Sequence, residues 1–204
     1  LVLNHLDLYI GTYKLYQKRW LKMFNIFSDY LHKDLFSLDT KKIKKETLHI
    51  KSQDKGRTVS NYGGWQSKNF VTMNKNFKIL FDNINTSVKK VEKHLKLKKE
   101  LSLRDYWCNI NYFGSFNRPH THEGCTVSGV YYVDVHKNSG NIIFINRNLN
   151  SYYKEINSYN EYNSSTWKIE PEKNLCVLFP SYLNHYVEPN LNKKERISIS
   201  FNYV

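Results

Sequence analysis

The 204-residue chain is 40% hydrophobic and 15% aromatic, enough to bury one sizeable core, and this excludes a disordered chain. Its 31 basic and 18 acidic residues leave a net charge of +13, which suits small anionic metabolites; the basic residues are scattered and no nucleic-acid motif accompanies them, so nucleic acid is not favoured. No apolar run is long enough for a membrane helix and no secretory leader is read at the start, which predicts a cytoplasmic chain with no membrane partner.

Residues 1–22 repeat Leu3, Leu6, Tyr9, Ile10, Tyr13 and Tyr16 at helical spacing. They read equally as a helix or as an N-terminal extension before a domain that starts near Met23. Phe24, Phe27 and Leu31 mark a short helix or an early strand, and Lys41, Lys42, Lys44 and Lys45 a solvated face. Residues 60–67 are a turn-rich loop because Asn61, Gly63 and Gly64 tolerate positive φ; Trp65 within it reads as a packing plug rather than a lining of the substrate mouth. The stripe Phe77, Leu80, Phe81, Ile84, Val88, Val91 and Leu95 predicts a helix over 74–99, with lysines crowding its C-terminal half where they complement the helix dipole.

From residue 103 the period changes to two. Strands are predicted at 104–113, 118–122, 126–135, 141–146, 166–170, 174–179, 184–188 and 195–203, separated by glycine, asparagine and proline turn signals. Residues 147–165 lack periodicity and read as a long loop, a lid beside a site. Strands in succession without intervening helices indicate a sandwich or barrel. The domain is therefore mainly β (α+β): a helical part to about residue 100 supports a sandwich or barrel core over 103–204, and 23–204 form one unit. Cys108, Cys125 and Cys176 are odd in number, lack a Cys-x-x-Cys pair and fall in strand-like segments, so they read as small core residues of a reducing compartment.

Two histidines sit two residues apart in Pro119-His120-Thr121-His122, a spacing that puts both rings on one face of a strand. His185 follows much later, and Arg196 eleven residues beyond it. A close pair, a distant histidine and a following arginine are the order expected of a mononuclear non-haem iron site. Pro119 stiffens the approach to His120. On the last strand Arg196, Ser198, Ser200 and Asn202 share one face and Ile197, Ile199, Phe201 and Tyr203 the other. Both faces are expected to be buried, the polar one in a cavity where Arg196 grips a carboxylate through paired hydrogen bonds and Ser198 adds a third. His136 reads as a turn residue.

Several stretches together carry a family resemblance: residues 60–67, Pro119-His120-Thr121-His122, Ser128-Gly129-Val130-Tyr131-Tyr132-Val133, Phe179-Pro180-Ser181, residues 185–190 and residues 196–202. They resemble the 2-oxoglutarate- and Fe(II)-dependent oxygenases with a double-stranded β-helix, and more closely an oxygenase family of marine bacteria and their phages. The resemblance spans most of residues 24–204. It implies that His120 and His185 are iron ligands, and that His122 stands where the wider superfamily usually has aspartate. Glu123 is the alternative third ligand, although its side chain is expected on the opposite face. It also implies that Arg196 and Ser198 hold the distal carboxylate of 2-oxoglutarate, with Tyr132 touching the same group or serving as a core aromatic. Asn109, Asn111 and the 147–165 loop are candidates for the substrate side.

The implied activity is a dioxygenase, an oxidoreductase acting as a hydroxylase with Fe(II) as metal, 2-oxoglutarate and dioxygen as cosubstrates, and ascorbate as stimulant. The substrate is a protein side chain or a small metabolite. Two other classes compete. A cupin-type three-histidine metalloenzyme without 2-oxoglutarate accounts for His122 but leaves Arg196 and Ser198 unexplained. A metal-free basic binding module rests on the +13 charge alone.

Overall fold

The period-two half of the chain forms two antiparallel sheets in the computed structural model, which describes residues 28–70, 73–147 and 155–204. The elements are β1 (His32–Leu35), α1 (Thr40–Gln53), β2 (Asn61–Tyr62), β3 (Trp65–Gln66), α2 (Lys75–Leu95), β4 (Leu103–Asn111), β5 (Phe116–His120), β6 (Val127–Asp134), β7 (Ile142–Ile145), β8 (Thr166–Ile169), β9 (Leu175–Pro180), β10 (His185–Val187) and β11 (Arg196–Tyr203). One sheet runs β1-β9-β6-β11-β4-β3 and the other β2-β5-β10-β7-β8. This is a jelly roll, a double-stranded β-helix, with helices on one side. Among the described residues no helix is long and apolar enough to cross a membrane.

Two layers of side chains hold the molecule together. In the outer layer the apolar stripe of α2 lies on the six-stranded sheet, with Phe81 against Tyr106 at 4.8 Å and Phe201 at 5.8 Å between ring centroids. In the inner layer Val130, Tyr132, Val177 and Phe179 meet Ile142, Phe144 and Ile169 of the other sheet. The functional cavity lies beside this inner layer, between the sheets.

Each predicted strand from residue 103 onward is present, with ends shifted by one or two residues. Helix α2 starts where expected, because Asn74 accepts from the Asn76 and Phe77 amides. It stops at Leu95, short of residue 99, because Lys96 takes a left-handed conformation and its amide closes the last turn. Helix α1 was not anticipated from the lysine-rich run. Asp39 caps it, Ile43 and Thr47 form its buried face, and Lys44 leaves the expected solvated face to pair with Asp134.

The 60–67 loop contains the two short strands β2 and β3. Trp65 is buried and donates to the Asp54 carbonyl at 2.9 Å, a packing role. His136 lies in the turn after β6. Cys108 and Cys176 are core residues, but Cys125 is not: it lies half-buried in the turn before β6, with the Arg104 guanidinium 3.1 Å from its sulfur. The reading of residues 1–22 falls outside the described residues.

Candidate metal and cosubstrate site

His120 ends β5 and His185 opens β10, and the two are direct partners across that antiparallel pair. Strand pairing therefore sets their rings side by side, with centroids 4.3 Å apart. His122 is not on the same strand, contrary to the sequence expectation: β5 ends at His120. His122 sits in the following loop, tied down by its backbone amide donating to the Ser181 carbonyl at 2.9 Å. The loop still turns the His122 ring toward the other two, at centroid distances of 5.1 and 5.2 Å. Potential ligand atoms of the three residues all lie within 4.8 Å of one another.

The tautomers suit a cation. The Nδ1 atoms of His120 and His185 lie 2.7 Å and 2.9 Å from the carbonyl oxygens of Arg118 and Leu183, each two residues back. A carbonyl only accepts, so Nδ1 carries the proton and Nε2 keeps its lone pair. The His122 ring makes no hydrogen bond to described residues and is positioned by packing, against Trp107 at 5.7 Å and Phe179 at 6.4 Å. Burial, reinforced by the neighbouring His120, pushes His122 and His185 down to about 3, and burial lowers His120 as well. All three imidazoles are thus neutral at ordinary pH, the form that binds a metal. Glu123 is exposed and stands outside this group of three.

Arg196 opens β11 and lines the same cavity, of about 460 Å³. It is only 2% exposed. Its Nη1 donates to the Ser139 and Gly140 carbonyls at 2.8 and 2.9 Å, while its Nε has no partner. No carboxylate of the described residues pairs with it. Burial lowers its affinity for the proton, and nearby Tyr132 works the other way. Tyr132, fully enclosed, is itself pushed up to about 12 by burial, against the pull of Arg196. Strand register places Ser198 directly between Tyr132 of β6 and Asn109 of β4, and Arg196 opposite Asn111. Both faces of β11 are buried apart from a partly open Ser200.

Asn109 and Asn111 line the cavity at the level of Arg196 and Ser198. The described part of the expected lid, residues 155–165, contributes nothing to the lining, and residues 148–154 of it fall outside the described residues. Five contributors were given no role at the site by the sequence reading. Trp107 was legible, since it shares the face of β4 with Asn109 and Asn111. The Ser139 and Gly140 carbonyls were not, because backbone acceptors leave no residue-type signal. Arg57 and Arg118 also line the cavity; Arg118 stands two residues before His120 in the histidine stretch, which marked its position but not its role, and nothing marked Arg57 among the scattered cations.

The fold and the three histidines define a class, double-stranded β-helix proteins with a potential metal site between their sheets. Residues 105–202 match the family model described as "Putative 2OG-Fe(II) oxygenase", and over this jelly roll the chain resembles the 2-oxoglutarate-dependent Fe(II) oxygenases. No curated protein matches the sequence. Among solved structures it is similar to a Pseudomonas putida prolyl-4-hydroxylase, at 15% identity and TM-score 0.61 over 85% of this chain and 91% of that one. A Trichoplax adhaerens prolyl hydroxylase, solved with a hypoxia-inducible-factor peptide fragment, aligns at 15% identity and TM-score 0.62 over 94% and 92%. The α-ketoglutarate-dependent epimerase SnoN of nogalamycin biosynthesis aligns at 12% identity and TM-score 0.66 over 86% and 78%. At these identities the structures share the fold.

Proposed function

We propose that the chain is an Fe(II)- and 2-oxoglutarate-dependent dioxygenase that hydroxylates a protein side chain or a small metabolite. His120, His122 and His185 hold the iron through neutral imidazole nitrogens. Arg196, with Ser198 and Tyr132, holds the far carboxylate of 2-oxoglutarate. One observation carries the reading: a buried guanidinium with an unpaired Nε and no carboxylate partner among the described residues shares a cavity with three neutral imidazoles. Such a cation is costly unless an anion joins it, and a dicarboxylate chelated by the metal would supply one.

Iron bound with 2-oxoglutarate supplies a coupled oxidation, in which dioxygen is reduced, the cosubstrate becomes succinate and carbon dioxide, and a substrate C–H bond becomes C–OH. The protein fixes the geometry and keeps the cavity dry. The Arg118 and Leu183 carbonyls hold two ligand rings in the metal-binding tautomer. The Ser139 and Gly140 carbonyls aim Arg196, leaving its other N–H groups for the cosubstrate. The all-imidazole ligand set leaves more positive charge on the metal than a set containing a carboxylate.

Shared packing between α2 and the six-stranded sheet supports residues 23–204 as one domain, and the free cysteines suit a reducing, cytoplasmic setting. Anaerobic addition of Fe(II) and 2-oxoglutarate, with ascorbate keeping the iron reduced, is expected to give the weak visible band of the chelate. His185→Ala is expected to abolish it. Metal binding without that band would favour the cupin-type reading, and no metal binding at all would overturn both.

A further inference from the structure

The cavity that contains the histidines is lined by three arginines and by no aspartate or glutamate among the described residues. Arg196 is the buried one; Arg57 and Arg118 are exposed, at its mouth. Neither of these pairs with a carboxylate among the described residues. They come from different elements but are fastened together. The Arg118 amide donates to the Ser60 carbonyl at 2.9 Å, and Asn117 donates to the Ser60 hydroxyl at 3.1 Å. The Arg57 carbonyl accepts from Asn61, and its amide donates to Gln66.

Arg57 differs from the many solvated lysines in being held. Its guanidinium donates to the Asn69 side chain, and Asn69 donates to Asp105 at 2.7 Å. Asp105 accepts on its other oxygen from Asn202, a cavity-lining residue, at 2.9 Å. The Asp105 carboxylate is thus occupied by two amides. Nearby Asp54, which accepts from the Gly56 and Lys68 amides, feels the Arg57 charge without forming an ion pair, so the guanidinium is positioned and only partly offset. A cation fixed in this way loses little freedom on meeting a ligand. The remaining lining mixes amides and hydroxyls, such as Asn69, Asn117 and Ser60, which hydrogen-bond a polar ligand, with apolar side chains such as Val59, Val130 and Ile142. A cavity of about 460 Å³ falls in the range of small-molecule sites.

We propose that Arg57 and Arg118 bind an anionic group, carboxylate or phosphate, of a small polar primary substrate whose reacting carbon then faces the histidines. This rests on the oxygenase reading for the identity of the inner site.

The test uses the protein loaded anaerobically with Fe(II) and saturating 2-oxoglutarate, so that Arg196 is already engaged. Glycerol 3-phosphate, glycerate and uncharged glycerol are titrated by calorimetry. At least one anion is expected to bind about tenfold or more tighter than glycerol, as charge-assisted hydrogen bonds outweigh neutral ones. The better anion identifies the group. Arg57→Gln/Arg118→Gln is expected to remove that advantage. Lys98→Gln/Lys99→Gln, the same charge change on an exposed surface, is expected to keep it. Equal binding of all three probes, no binding of either anion, an advantage that survives loss of both arginines, or an equal loss in the lysine pair overturns the proposal. The chelate band on the same sample reports on the oxygenase reading separately: anion binding at the two arginines without the band would sink that reading and leave an anion site.

Discussion

Taking a guanidinium out of water without a counter-charge is unfavourable, and Arg196 is kept that way by two backbone carbonyls alone. Replacing it by lysine keeps the charge but leaves a point donor in place of a planar fork. Arg196→Lys is therefore expected to weaken 2-oxoglutarate binding about tenfold or more, roughly 1.4 kcal/mol, while iron affinity stays near its original value. Unchanged cosubstrate affinity by calorimetry would remove Arg196 from this role. His122 offers a second test. Its ring is placed by Trp107 and Phe179 and not by a hydrogen bond, so Trp107→Leu frees it to turn. Iron affinity is expected to fall by roughly ten-fold, the low end for losing a partner that orients a ligand. These side chains stood out by their order along the chain, a close histidine pair, a later histidine and an arginine opening a two-faced strand. How each is held was not legible, because that work falls to carbonyls and packed rings.

Local period decided how well each element could be read. The stripe of α2 and the alternation of β11 are strong signals because one face of each must meet a core. The end of β5 was misplaced because a polar run gives no hydrophobic register, and its pairing with β10 fixes the end at His120. Helix α1 has few apolar residues and went unseen, since tertiary packing of its own Ile43 and Thr47 overrides its weak pattern. The turn between β6 and β7 shows an element acting on the site. Gly140 has φ +87°, and a Cβ there would overlap the Glu188 carbonyl oxygen. Gly140→Ala must displace a turn whose Ser139 and Gly140 carbonyls grip Arg196. The expected result is weaker 2-oxoglutarate binding with little change in iron binding, together with about 1–3 kcal/mol of lost stability in urea unfolding. A variant that loses stability but binds the cosubstrate normally would show that the turn does not position Arg196.

At the scale of the whole molecule the site sets the response to acid. A sandwich or barrel was legible from strand succession and the double-stranded β-helix from the family resemblance, but the burial of three neutral imidazoles between the sheets required the three-dimensional packing. Unfolded, these histidines have an ordinary pKa near 6.5; folded, His122 and His185 are held at about 3 and His120 is lowered. Below 6.5 the unfolded chain therefore binds more protons than the folded one, and stability falls as pH falls. Between pH 6.5 and 5, His122 and His185 each cost up to about 2 kcal/mol by this linkage. Asp34 acts in a lower window. Burial opposes its ionisation, yet hydrogen bonds from Lys90, Ser87 and His32 hold it at about 2, so its contribution is present above about 4 and fades toward 2. The metal-free protein is accordingly expected to show a falling urea midpoint from pH 7 to 5. The His120→Gln/His122→Gln/His185→Gln variant should lose most of that slope while keeping the decline below pH 4. Bound metal should raise the midpoint at pH 7 and make the acid decline steeper, because protons then compete with the metal for the same nitrogens. A triple variant as acid-sensitive as the original protein between pH 7 and 5 would show that the cluster does not control the transition.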